Sequence, residues 1–425
     1  YKEYIGIDIN PERMPVKKAI EINTKVLTRM NERIESRPHE RIIDGTGAQS
    51  YWDTAPSGRN VSKGGVGELL KNGAAAARHI YTNLSGTDLT LAANAFTTAN
   101  TAITAGTLAV GTALERDHVI DYIRGVDVYD DDEDSNITEN REWLLGDIIH
   151  SVPVVLHYSA SDALILIGSN DGVLHAFDDA SGAELWGFIP SDLLSRLKEL
   201  TPGGSGSHSY FIDSSPKEYT LTDGRRIAVF GLGRGGRAYY ALDVTSKTAP
   251  KFLWKLTNAS AGMGELGQSV SEPSFSQVTS GGTAVDAVII GAGYDTYFDD
   301  PSHTTPNASG MGRGVFVLNA ATGALISLIR PTGMDWAIPS TVAALDLTGD
   351  GVLDRAYVGD LGGQMWRING ALQATRLFSA PSGHKIFYPP DVVRDRGFLS
   401  VFFGTGDRSN PLETSVVDRI YAIKD

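Results

Sequence analysis

Residues 346–354 read DLTGDGVLD and place Asp346, Thr348, Asp350, Val352 and Asp354 at alternate positions, with Gly351 between the third and fourth. Donors at every second position of a tight loop can turn to one side. Calcium, which takes about six to eight oxygen ligands at ~2.3–2.6 Å, suits such a loop. Gly351 permits the sharp turn, and Val352, which has no donor in its side chain, would offer its backbone carbonyl. Three carboxylates so close in sequence repel one another unless a cation lies among them. The expected ligands are therefore the side chains of Asp346, Thr348, Asp350 and Asp354 and the carbonyl of Val352, holding Ca²⁺. Magnesium, which demands a stricter octahedron and keeps its waters, matches less well. The competing reading is a metal-free polar turn. The loop is not an EF-hand, because Tyr357 stands where that motif has its bidentate Glu and both flanks read as strands.

No catalytic constellation accompanies it. The chain has no cysteine, which excludes disulfides, thiolate nucleophiles and thiolate metal sites. Its nine histidines are scattered without an H-E-x-x-H, and His150, His157 and His175 in strand-like surroundings read as structural. No G-x-S-x-G or phosphate-binding loop is present, and GLGRGG at 231–236 reads as a turn because no helix follows it. A net charge of −14 argues against nucleic acid as a partner. The chain reads as a non-enzyme. No apolar run is long enough to span a membrane. No signal peptide begins at Tyr1, and the abrupt start reads as a mature fragment or as a domain of a longer chain.

The elements that must position the loop repeat. An apolar run ends in Gly168, Gly231, Gly291, Gly359 or Gly404, and a Gly-rich turn follows. A second apolar strand then ends near Asp178, Asp243, Asn319, Asn369 or Asp425. A further turn leads to a third strand, which carries Trp186 and Trp254 in two copies, where they read as packing residues. Pro153, Pro216, Pro273, Pro339 and Pro389 precede another strand at the head of each unit. Four short antiparallel strands recurring in this way predict a mainly β fold, a β-propeller with five legible blades, the last lacking one strand. The calcium loop joins two strands of the fourth unit. Residues 294–314 read as an exposed insertion.

Ahead of the repeats, residues 1–140 read as a partly helical region that packs on or completes the propeller of residues 141–425. Val16, Ile20, Leu27, Met30 and Ile34 fall near helical spacing, residues 67–81 and 91–111 read as helix, and residues 117–125 read as a short helix ended by Gly125. Residues 127–140 are strongly acidic and read as a solvated loop, with a second cation site as the lesser alternative.

RHIYTNL at 78–84, VIDYIRG at 119–125 and REWLLGDIIHSVPVV at 141–155 are followed by GSNDGVLHAFDDASGAELWGFIP and by the calcium-type loop running into YVGDLGGQMWRI. Over about residues 78–425 this resembles the C-terminal domain of PilY-type proteins, the type IV pilus biogenesis and pilus-tip adhesion factors. The resemblance implies a modified propeller of seven blades and a calcium loop whose occupancy regulates pilus extension and retraction. It also implies minor pilins of the tip complex as partners, attachment to host or abiotic surfaces, twitching motility, and export through the periplasm to the pilus tip or outer cell surface. Asp346, Asp350 and Asp354 match the family's loop aspartates, whereas Thr348 replaces its usual Asp or Asn. No Arg-Gly-Asp tripeptide occurs, so integrin binding through that motif has no support. Two other readings compete. A quinoprotein dehydrogenase would hold a quinone with calcium in its channel, but no vicinal Cys pair occurs and only two Trp recur in register. A calcium-stiffened, integrin-α-like partner-binding propeller would be expected to carry several such loops.

Overall fold

The computed structural model describes Gln49, Trp52, residues 65–204 and residues 206–425; the helix expected around residues 16–34 lies outside them. Residues from Leu70 to Asp425 form one compact unit. Helix α1 (Gly65–Asn72) and strand β1 (Ile80–Thr82) precede helix α2 (Ala113–Arg124). Each of the five repeats then folds as one antiparallel sheet with its strands in chain order. The first comprises β2 (Val154–Ser159), β3 (Asp162–Gly168), β4 (Leu174–Asp178) and β5 (Glu184–Ile189), with β1 added in parallel against β5. The second comprises β6 (Lys217–Thr220), β7 (Arg226–Gly231), β8 (Ala238–Asp243) and β9 (Lys251–Thr257). The third comprises β10 (Ser274–Ser280), β11 (Thr283–Gly291), β12 (Val315–Asn319) and β13 (Leu325–Ile329). The fourth comprises β14 (Ala343–Leu345), β15 (Arg355–Gly359), β16 (Gln364–Asn369) and β17 (Ala374–Ser379). The fifth has three strands, β18 (Asp391–Asp395), β19 (Phe398–Gly404) and β20 (Ile420–Lys424). Five sheets are thus present among the described residues, matching the five legible repeats; the seven blades of the resemblance are not reached there.

The middle strands are apolar on both faces because each of the inner sheets lies between two others. On β7, Ala228 and Phe230 pack toward the first sheet while Ile227 and Val229 pack toward the third. On β11, Val288 and Ile290 face the second sheet and Ala287 and Ile289 the fourth. On β15, Ala356 and Val358 join the third sheet, and Tyr357 joins Leu399, Val401 and Phe403 of the fifth. This is the period-two alternation of a strand, used here to join successive blades.

The recurring residues have separate reasons. A methyl group on Gly168, Gly231 or Gly291 would lie 2.5, 2.4 or 2.5 Å from the carbonyl of Ile212, Ser269 or Ile338, in the segment that leads into the next sheet. On Gly359 it would meet Ile386 Cγ2 at 2.2 Å, whereas Gly404 has nothing within 4 Å. The repeated glycine therefore marks where the next blade crosses. The repeated Asp or Asn closes the following hairpin: the Oδ1 atoms of Asp178, Asp243, Asn319 and Asn369 accept the N–H groups of Ser181, Thr245, Ala321 and Ala371. The packing tryptophans also couple blades, since Trp186 Nε1 donates to Lys247 O and Trp254 Nε1 to Ala320 O, both at 2.9 Å.

The segments ahead of the sheets depart from expectation. The helix expected at 67–81 ends at Asn72, and His79 to Thr82 instead run beside β5. Arg78 is drawn to Glu184 by two bonds of 2.7 and 2.9 Å. Residues 91–111 contain one 3₁₀ turn (Ala92–Asn94) and no α-helix. Their side chains compete for the backbone: Asn94 bonds Ser85 O and Asp88 O, and Asn100 bonds Ala93 O and Ala95 O. Helix α2 forms as expected but begins earlier, at a capping box between Thr112 and Glu115, and ends at Gly125 with φ 114°. The insertion at 294–314 is only partly exposed, because Tyr294 and Phe298 are buried against Ala337 and Leu361. No described helix is long and apolar enough to cross a membrane.

Candidate metal centre

The 346–354 loop is the hairpin between β14 and β15, closed by Asp354 N–H donating to Leu345 O at 3.0 Å. Buried Leu353 anchors it, while Asp346, Thr348, Gly349, Asp350 and Gly351 are exposed. Gly349 and Gly351 take φ of 81° and 84°, which gives the loop its curl. Asp346 Oδ1 accepts Thr348 N–H and Gly349 N–H at 3.1 and 2.6 Å, and its Oδ2 accepts Gly351 N–H at 2.7 Å. These backbone donors, Gly351 foremost, hold its carboxyl below the usual range and keep it ionised. Asp354 Oδ2 accepts Leu347 N–H and Thr348 N–H at 2.7 and 3.0 Å, and Asp350 Oδ1 accepts Val352 N–H at 2.9 Å.

Two acids converge on one hydroxyl. Thr348 Oγ1 lies 3.3 Å from Asp346 Oδ1 and 3.1 Å from Asp354 Oδ2. Val352 is oriented by the neighbouring blade: Gln277 N–H on β10 donates to Gly351 O at 3.1 Å and Leu353 N–H donates to Gln277 O at 2.8 Å. In a strand-like bridge, the bonds of the flanking residues to β10 leave the Val352 carbonyl on the other side, where its N–H already meets Asp350. Carboxylate, hydroxyl and carbonyl oxygens are the donor types of a hard cation, but among the described residues Asp346, Asp350 and Asp354 are not in the acid groups whose oxygens lie within 4.8 Å of one another; Asp346 and Asp354 meet at Thr348. All five expected ligands belong to one turn. Nothing in the residue pattern marks this turn as also stitched to β10 of the preceding sheet.

The family profile described as PilY1 beta-propeller domain matches residues 157–409, well over half of the chain. The chain belongs to the PilY1 β-propeller family. A "Type IV pilus biogenesis factor PilY1 homolog" of Xylella fastidiosa is 30% identical over 351 residues, 72% of this chain and 27% of that protein. "Type IV pilus biogenesis factor PilY1" of Pseudomonas aeruginosa is 28% identical over 416 residues, 81% of this chain and 33% of that protein. The chain thus spans between a quarter and a third of the length of these relatives. The crystal structure of the Pseudomonas aeruginosa PilY1 C-terminal domain aligns with a TM-score of 0.49 at 26% identity, covering 63% of this chain and 58% of that one.

Elsewhere in this PilY1-type propeller, the acidic stretch folds back on itself. Oxygens of Asp127, Asp132 and Glu139, and of Asp130, Asp132 and Asp134, lie within 4.8 Å of one another, and residues 131–138 are exposed as expected. Asp127 is instead buried and accepts Asp131 N–H on both oxygens at 3.0 Å. His175 is a fully buried structural histidine between Glu184 (2.7 Å) and Asp171 (3.0 Å). Burial lowers its pKa, but the charge of Asp171 and the bonds to both acids outweigh burial and raise it to about 9. The 231–236 glycines form the turn between β7 and β8, as expected.

Proposed function

We propose that this chain serves type IV pilus biogenesis as a calcium-binding, non-catalytic propeller at the pilus tip or outer cell surface. In this reading it works with minor pilins of the tip complex, tunes pilus extension and retraction, and supports twitching and attachment to host or abiotic surfaces. The observation that carries the calcium reading is the Thr348 hydroxyl held between Asp346 and Asp354 in a turn whose other edge is bonded to Gln277 of the preceding blade. Asp346, Thr348, Asp350 and Asp354 would hold the ion through side chains and Val352 through its carbonyl. The ion would supply shape, fixing a surface loop and the seam of two sheets. Membership of the PilY1 family, with relatives named as type IV pilus biogenesis factors, supports the pilus assignment.

The test is Asp354→Ala in the native host, with calcium content of the purified protein, surface pili and twitching measured together. Loss of bound calcium with altered piliation is the expected result. Unchanged calcium content would remove the loop as the site, and lost calcium with normal pili and motility would make the ion purely structural.

A further inference from the structure

The segments that enter the first strands of all five sheets meet around a cavity of about 380 Å³. His150 precedes β2, Asp213 and Ser214 precede β6, Gln268 precedes β10, and Tyr388 precedes β18; Arg234 and Arg408 reach it from blade turns. Its volume falls within the ~300–1,000 Å³ of small-ligand sites.

The cavity is lined by acceptors and donors, the carboxylates of Asp213, Glu272 and Asp299 and the guanidiniums of Arg234 and Arg408. Asp213 is 3% exposed; His150 Nδ1 bonds its Oδ2 at 2.7 Å, but its Oδ1 has no partner. Burial pushes its carboxyl up, against the His150 contact. Ser214, 4% exposed, has an unpartnered Oγ, and Gln268 Oε1 is likewise unmatched although its Nε2 donates to Arg234 O at 3.3 Å. These three atoms have almost no accessible surface and lie behind the wall, so a ligand in the cavity would meet the accessible parts of Asp213, Glu272 and Asp299 instead. On the same wall, the Arg234 and Arg408 guanidiniums form no ion pair or side-chain hydrogen bond among the described residues. They lie 5.2 and 5.6 Å over the rings of Tyr210 and Tyr388, and Tyr388 is 62% exposed.

We propose that this cavity binds a saccharide unit. A cation placed there would meet two guanidiniums, and an anion would meet the carboxylates of Asp213, Glu272 and Asp299, which also line the cavity. A sugar hydroxyl donates and accepts at once. It can donate to the lining carboxylates and accept from the two guanidiniums in the same small space. The Tyr388 ring supplies a flat apolar face for the C–H side of a pyranose. The proposal rests on the cavity alone and does not depend on the calcium loop.

The 425-residue chain would be titrated with D-glucose, D-galactose, D-mannose and N-acetyl-D-glucosamine, with agmatine and citrate as cationic and anionic controls, by saturation-transfer-difference NMR. Saturable transfer to at least one sugar is expected. Tyr388→Ala and Arg408→Ala, both at exposed positions, should each weaken it by about tenfold, a loss of about one decade in Kd, without moving Tm. Asp213→Asn tests the floor of the cavity, and a Tm measurement separates lost binding from lost folding. The proposal is overturned if no sugar binds, if binding survives Tyr388→Ala and Arg408→Ala undiminished, or if only agmatine or citrate binds.

Discussion

At Thr348 a single hydroxyl and a single backbone N–H serve two carboxylates, since the N–H also meets Asp346 Oδ1 and Asp354 Oδ2 at 3.1 and 3.0 Å. Thr348→Asp would exchange this neutral bridge for a third charge beside two others. Without calcium the variant should melt below the parent, and with calcium its rise in Tm should exceed the parent's; equal rises would show that position 348 does not touch the ion. A second residue-scale prediction concerns His175. Its raised pKa means that its contribution to stability is complete below the unfolded value of about 6.5 and is lost as pH rises through about 9. Thermal melts of the parent and His175→Gln should therefore converge between neutral pH and pH 10. A constant gap would mean that His175 is buried neutral.

Between residue and molecule, the repeat works through crossings. Gly231→Ala would drive a methyl group to 2.4 Å from Ser269 O, backbone that cannot swing aside, whereas Gly404→Ala meets nothing within 4 Å. The first should cost about 1–3 kcal/mol or more and the second about zero in denaturant unfolding. Equal losses would refute the crossing as the reason for the glycine. Trp254→Phe keeps a ring but leaves Ala320 O without its 2.9 Å donor, so a loss of about 1–2 kcal/mol is expected from the bond and the trimmed packing.

For the molecule, the link between Gln277 and the 346–354 loop would make a calcium ion held by that loop an inter-blade matter. An ion bound only to the folded state stabilises it by about 2.7 kcal/mol at a hundredfold excess over Kd. Chelation should thus lower Tm. It should also speed amide exchange at Gln277 and Leu353, on both sides of the seam, while leaving the β7 and β8 amides of the second sheet unchanged. Faster exchange confined to 346–354 would restrict the ion's effect to its own hairpin.

The order of the sheets, their strand count and the position of the loop were legible in the sequence because they depend on short-range chemistry. Glycine, aspartate and proline punctuate strands locally, and alternate oxygens on a tight turn need no distant partner. The early helices were misread where distant groups decide: Asn94 and Asn100 take the backbone that helix would have used, and β5 claims residues 80–82 as a strand. The half-buried insertion was missed for the same reason, since the partners of Phe298 lie on later blades. The cavity left no trace in the sequence at all. Its residues are ordinary polar positions ahead of five separate strands and in two blade turns, and only the packing of those sheets brings Asp213, Gln268 and Arg408 to one place.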